Sequence, residues 1–269
     1  MRFRTRVAAV AATLPLVLGV AACGGGQKQT ATDLPAATPS ATVSTTTAAP
    51  PKAAAQPAAH LSTASFLPAM KTGMAGKNSV RVNMRMVAGG EVMTVTGVQT
   101  MKPVAMQIDL NGAAFGGRMK MILVKDTLYL SMKGIPAGKF VKVDTKDSAD
   151  PMAASLGSVL KEVDPSKTFG AFDSGLKNAK YIRTETVDGR KVDRYEVTVD
   201  MAAALKAKGQ KVTAGMPKTL VYTVWMGSAD HLTYKVAFEL AGVSMTMNAS
   251  DWGKPVTIKA PPASKIVSR

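Results

Sequence analysis

The sequence predicts an α+β domain in which one long, curved antiparallel β-sheet has its apolar concave face covered by a few helices. Three observations lead there. Short runs of alternating apolar and polar residues recur through most of the chain. The alternation breaks once, in the middle, where apolar residues take a helical period. The resulting order is one helix, several strands, two or three helices, then several strands.

The folded part must first be separated from what precedes it. Arg2, Arg4 and Arg6 form a positive N-terminal region, and Val7 to Val20 is an apolar run of 14 residues broken only by Thr13 and Pro15. That run is short of the roughly 20 residues a membrane-spanning helix needs, and it fits the apolar region of a secretory signal peptide. Val20-Ala21-Ala22-Cys23 follows, then three glycines, and Cys23 is the only cysteine in the chain. This segment resembles the lipobox of bacterial lipoproteins, in which the cysteine thiol takes a diacylglyceryl group. The alternative is an ordinary cleavage site with a cysteine beside it by chance. From Ala31 to Ala59 the chain is almost entirely Ala, Pro, Thr and Ser, too poor in large apolar surface to offset the entropy of ordering. The expected organisation is a signal peptide over 1–22, an acylated Cys23 with a disordered tether over 23–62, and a folded domain over 63–269. Such a protein is exported and held by acyl chains on the outer face of the cytoplasmic membrane, in the cell envelope.

Within the domain, Phe66, Leu67, Met70 and Met74 share one face of a short helix over residues 64–75. Val80, Val82, Met84 and Met86 then alternate with Arg81, Asn83 and Arg85, and after Gly89-Gly90 a second alternating run covers Val92 to Met101. Val104, Met106, Ile108 and Leu110 make the next strand, Met119, Met121 and Leu123 the one after. Lys125-Asp126 turns the chain into Leu128 to Met132, and Phe140 to Val143 is one more short strand. Asp150 and Pro151 are placed to cap and open a helix whose stripe is Met152, Leu156, Val159, Leu160 and Val163. Phe169, Phe172 and Leu176 suggest a second short helix. Strands return over Tyr181 to Val187 and Lys191 to Val199, joined by an Asp188-Gly189 hairpin signal, and Met201 to Lys208 has room for a helical turn or two. Leu220 to Met226 follows. Leu232, Tyr234, Val236, Phe238 and Leu240 then share a face, as do Val243, Met245 and Met247. The expected sheet has about ten strands.

Composition closes off much chemistry. One cysteine and two histidines make a protein-built zinc site improbable and an intramolecular disulfide impossible. No G-x-S-x-G elbow, H-E-x-x-H, phosphate loop or dinucleotide fingerprint is present. His231 falls in an expected hairpin turn. The chain therefore reads as a non-enzyme without catalytic residues, cofactor or metal. Its 34 Lys and Arg against 18 Asp and Glu give a net charge of +16, and only five of the basic residues and one of the acidic lie before residue 63. No helix-turn-helix or aromatic-interleaved basic motif accompanies that charge, which argues against nucleic acid. Anionic headgroups or wall polymers are one fitting partner; a plain solvated surface is the other reading.

The leading helix, Tyr129 followed by Gly138-Lys139-Phe140-Val141-Lys142-Val143, the central helices, Val224-Trp225-Met226, and the ending Asp251-Trp252-Gly253-Lys254-Pro255-Val256 resemble the LolA-like half-barrel, specifically envelope lipoproteins of the LppX/LprG type. That resemblance implies carriage or sensing of a lipid or glycolipid, its acyl chains held between the half-barrel and its helices. The residues expected to line such a cavity are Met70, Met84, Met86, Met106, Ile108, Met119, Met121, Leu156, Leu160, Trp225, Tyr234, Val236, Phe238, Met245 and Met247. Seventeen methionines give independent support, because an unbranched, polarizable side chain can repack around acyl chains of varied shape. The other reading of the same residues is a packed core beneath the helices, in an envelope adaptor or sensor that works through its basic surface.

Overall fold

The computed structural model describes residues 60–147, 172–212 and 216–268. Cys23, the tether, and the expected central helix with Leu156 and Leu160 lie outside them. Twelve strands form one open sheet: β1 Ser79–Ala88, β2 Glu91–Met101, β3 Val104–Gly112, β4 Gly117–Val124, β5 Thr127–Ser131, β6 Phe140–Asp144, β7 Leu176–Val187, β8 Arg190–Asp200, β9 Thr219–Gly227, β10 Thr233–Leu240, β11 Val243–Ser250 and β12 Ile266–Val267. Their spatial order is β12-β6-β5-β4-β3-β2-β1-β11-β10-β9-β8-β7. Two meanders, β1 to β6 and β7 to β11, are thus zipped together where the first strand of one meets the last strand of the other. Every pairing is antiparallel except β12 on β6, which is parallel. Tight turns make the meanders. Asp188 and Gly189 both take left-handed φ, +49° and +74°, as a two-residue type I′ hairpin requires.

Strand registers fix which side chains share a face. Met84 lies opposite Val95 of β2 and Met247 of β11, Ile108 opposite Met121, and Met121 opposite Leu130, so these alternating apolar positions of neighbouring strands share one inner face. Two buried clusters occupy it. The larger joins β1, β8, β9, β10 and β11 to the helices, and the smaller holds Met106, Met121, Leu123, Leu128, Leu130, Val141 and Val143. Ile108 and Leu110 pack against both.

Helix α1, Thr63–Met74, covers part of this face. Ser62 and Ser65 form a reciprocal capping box at its start, satisfying two donors the first turn would otherwise leave unpaired. The buried stripe is Phe66, Leu67, Met70 and Met74, the four residues that the sequence spacing selects. Thr63 Oγ1 accepts from Ala179 N–H at 3.0 Å and donates to Asn178 Oδ1, tying the helix start to β7. Its other end rests on the β9–β10 turn: a Cβ on Gly73 would fall 2.4 Å from the Asp230 carbonyl oxygen, so no larger residue permits this approach. Leu61 N–H donates to the Tyr195 hydroxyl at 3.1 Å.

Helix α2, Met201–Ala207, follows β8 directly. Asp200 caps it, its carboxylate accepting from Ala203 N–H at 3.0 Å, and Lys177 pairs with the same side chain at 3.0 Å. The Ala203 bond, reinforced by Lys177, holds this carboxyl below the ordinary value of 3.8. A carboxyl whose value is lowered on folding stabilises the fold above 3.8 and loses that contribution as pH falls through its lower folded value. Asp200→Ala is accordingly expected to lower the urea midpoint at pH 7. The difference from wild type should shrink as the midpoint is followed below pH 4, whereas a pH-independent difference would remove the charge from the cap's contribution.

Two sequence expectations change, and one strand is added. Leu176 begins β7 rather than closing a helix. A register shift between Thr233 and Lys235 places an extra residue on β10, so Tyr234 leaves the inner face that period-two counting assigns it. β12 pairs with β6 after the chain has passed Ser79, where Gly253 N–H donates to the Ser79 carbonyl, and its Ile266 joins Ile258 against Ile122, Tyr129 and Phe140 on the outer face.

Candidate functional site

Of the residues expected to line a cavity, Met70, Met84, Met106, Met121, Val236, Phe238, Met245 and Met247 are buried in the inner-face clusters. Met86, Ile108 and Met119 are only partly buried and pack at the margins of those clusters. That difference in depth follows a pattern. At the end of the strands where β1 turns into β2 and β3 into β4, the inner face carries Leu240, Val243, Met86, Met93, Leu110 and Met119, one from each of six neighbouring strands, and all are half-buried. Toward the opposite end the same face is closed: Val80, Val82, Leu232 and Val236 are buried. The half-barrel thus has an apolar margin accessible to solvent at one end, backed by a sealed interior.

Large apolar side chains left half-exposed in a contiguous row are costly in water unless something covers them. Methionine supplies three of the six. Its flexible thioether can change rotamer at little cost, so this margin can accommodate a chain-shaped apolar partner without disturbing the strands beneath. Sequence reasoning missed Met93, Leu110, Leu240 and Val243 as a group, because alternation assigns a face but not a depth.

Two expected site residues stand elsewhere. Trp225 lies on the outer face, between Tyr222, Val224 and Met226 side chains that turn inward. There the Arg194 guanidinium is 5.3 Å and Lys235 Nζ 4.6 Å from its ring, and its indole N–H donates to Glu185. Arg183 donates to the same carboxylate at 2.7 Å, and with Trp225 holds it below the ordinary carboxylate range. Trp225 is therefore part of an outer cation–aromatic cluster, not of an apolar cavity; the alternation of its own strand already put it opposite Val224. Tyr234, displaced by the β10 bulge to the edge of the larger cluster, against which it still packs, donates its hydroxyl to Asp230 Oδ2 at 2.6 Å and lies beneath Arg190, 4.9 Å from the ring centroid. Burial, with Asp230 adding to it, pushes this phenol up to about 12. His231 sits in the β9–β10 turn with φ +54°. Among the described residues no cluster of His, Cys, Asp or Glu suits a metal ion, and no helix is long and apolar enough to cross a membrane.

Comparison with known proteins gives both sequence and fold relatives. The chain is 31% identical over 113 residues to lipoprotein LprA of Mycobacterium tuberculosis, covering 40% of this chain and 45% of that protein. It is 34% identical over 104 residues to the lipoarabinomannan carrier protein LprG of Mycobacteroides abscessus, covering 37% and 44%. The match thus spans less than half the length of these curated relatives. No family model matches. Among solved structures, Mycobacterium tuberculosis lipoprotein LppX is similar with a TM-score of 0.51 at 16% identity, over 73% of this chain and 99% of that one. LprF from Mycobacterium bovis is similar with a TM-score of 0.53 at 17% identity, over 74% and 96%.

Proposed function

We propose that this chain, a LolA-like half-barrel of the LppX/LprG type, is a lipid-anchored envelope protein that binds the acyl chains of a lipid or glycolipid along its inner face and carries it. The observation that supports the reading is the row of half-exposed Leu240, Val243, Met86, Met93, Leu110 and Met119 at one end of an otherwise buried apolar face. The relative named as a lipoarabinomannan carrier supports the same class of cargo. Acylation of Cys23 would hold the domain at the membrane that supplies such a ligand, and a tether of Ala, Pro, Thr and Ser would let it turn toward and away from the surface, with an average reach of about 35 Å. Carriage requires no covalent chemistry from the protein. The apolar face lowers the cost of taking acyl chains out of the bilayer, and the half-exposed margin gives them a way in and out.

The test is mass spectrometry of organic extracts from the full chain purified from its native host, together with uptake of a fluorescent fatty acid. A co-purifying lipid near one per protein and saturable uptake are expected. A lipid-free extract combined with no uptake would remove the carrier reading and leave the inner face as a packed core.

A further inference from the structure

Positive charge is unevenly spread along the strands. Between Met201 and Ala229 the sequence has no Asp or Glu, and it carries Lys206, Lys208, Lys211 and Lys218. This stretch holds the connection from β8 to β9. Met201 and Ala204 seat α2 on the larger buried cluster, and Met201 N–H donates to the Lys218 carbonyl at 3.0 Å, closing the connection at its base. With that apolar side turned in, Lys206, Lys211 and Lys218 stand exposed. None of the three makes an ion pair among the described residues.

Strand registers fix where these lysines are. Asp200 lies opposite Thr219, Leu176 opposite Val199, and Tyr222 opposite Phe238. The end of β8 and the starts of β7 and β9 therefore share one end of the sheet with Leu240 and Val243, the end where the apolar row is half-exposed. Carboxylates beside the lysines are already engaged: Asp200 by Lys177 and by the α2 cap, Asp173 by Lys71 at 3.2 Å. Glu91 and Glu239 stand at the same end on β2 and β10, outside the corner that β7, β8 and β9 form. At the opposite end cations and carboxylates are matched. There Lys146 pairs with Asp126, and Arg81 and Lys254 both pair with Asp251.

Two further features mark the basic end. Val212, directly beside Lys211, is 55% exposed. Thr63 is bonded to Asn178 and Ala179 at the start of β7, so the chain that leads back to Cys23 joins the domain at this corner. Unpaired lysines around an exposed valine suit the interface of an anionic bilayer, where ammonium groups reach phosphates while the apolar side chain enters the acyl boundary. A soluble polyanion would satisfy the lysines but leave the valine and the apolar row in water.

We propose that this end of the domain is a docking face for an anionic lipid bilayer, with Lys206, Lys211 and Lys218 on the headgroups and Val212 in the interface. The inference builds on the carrier reading, because docking in this orientation presents the half-exposed row to the membrane that supplies acyl chains.

The test uses residues 23–269 with Cys23→Ser, so that neither leader nor acyl group holds the protein to lipid. Sedimentation measures binding to vesicles of phosphatidylcholine, alone or mixed with phosphatidylglycerol, and the mixed vesicles should bind at least about tenfold more tightly. Each lysine at an anionic surface tightens binding roughly fivefold. Replacing Lys206, Lys211 and Lys218 together by Gln should thus weaken binding to mixed vesicles about 100-fold, with an unchanged circular dichroism spectrum. Replacing Lys102, Lys125 and Lys191 by Gln removes the same charge from the opposite end and should cost less than about tenfold, because charges beyond a Debye length are screened. Val212→Ser should weaken vesicle binding about fivefold. Equal losses in the two triple variants would overturn the face, as would mixed vesicles binding no better than phosphatidylcholine alone. Soluble polyphosphate that binds as tightly as mixed vesicles, with Val212→Ser without effect on either, would overturn the bilayer in favour of an anionic polymer. Fatty-acid uptake is scored separately: uptake without docking removes this face and leaves the carrier, whereas docking without uptake removes the carrier and leaves the face.

Discussion

Phe66→Ala is expected to lower the unfolding free energy by about 3–5 kcal/mol, the range for deleting a buried aromatic ring. Phe66 is fully buried and meets the Tyr195 ring edge-on, with centroids 5.2 Å apart. Tyr195 in turn meets Tyr181 of β7 at 5.9 Å and receives the Leu61 N–H that leads into α1. Removing the Phe66 ring leaves a cavity at the point where the helix is keyed to β7 and β8, and the capping box and Thr63 hydrogen bonds at its exposed end cannot fill it. Urea denaturation at neutral pH measures the effect, with Phe66→Leu as the control that retains most of the volume and should lose less than half as much. A loss below about 1 kcal/mol for the alanine variant, well under the cost of deleting a buried aromatic ring, would mean that α1 is not an integral part of the cooperative fold.

Met86→Asp should weaken fatty-acid binding by roughly 10- to 100-fold while leaving the protein folded. The side chain is half-buried in the middle of the exposed apolar row, on the central strand β1 and opposite Met93 and Met245. A carboxylate there keeps contact with water in the free protein, so the fold tolerates it. An entering acyl chain would have to strip that hydration without offering a hydrogen bond in return, at a cost of about 1–3 kcal/mol, which sets the range of the affinity change. Fluorescence titration of wild type and variant, with matched circular dichroism spectra, measures it. Undiminished binding by a folded Met86→Asp protein would place the entry for acyl chains elsewhere on the surface.

Most of the sheet is legible in the sequence, because alternation in a half-buried strand follows directly from the backbone's period of two. The face of α1 is legible for the same reason at a period of 3.6. What escapes is what period cannot carry. Ile266 and Val267 are too few to show a pattern, and only their place beside Phe140 and Val141 makes them a strand. The β10 bulge moves Tyr234 by one residue, and nothing in the local residue types announces it. The outer position of Trp225 is legible too, since Tyr222, Val224 and Met226 leave it only the other face; the family resemblance alone puts it in a cavity. The half-exposed row draws one residue from each of six strands in two separate stretches of the chain, so it does not exist until the registers are known.

The seam between the two meanders gives the molecule a timetable. β1 acquires β2 as a neighbour almost as soon as both have been made, but its other edge waits for β11, near the far end of the chain. Until then the first six strands form a sheet with an unpaired edge at β1 and an apolar face lacking β7 to β11. Pairing between strands so distant in sequence is slow, and a partial sheet with open edges is prone to associate with other chains. The first six strands are therefore the part of the chain with most to lose from meeting another copy before the last long strand arrives.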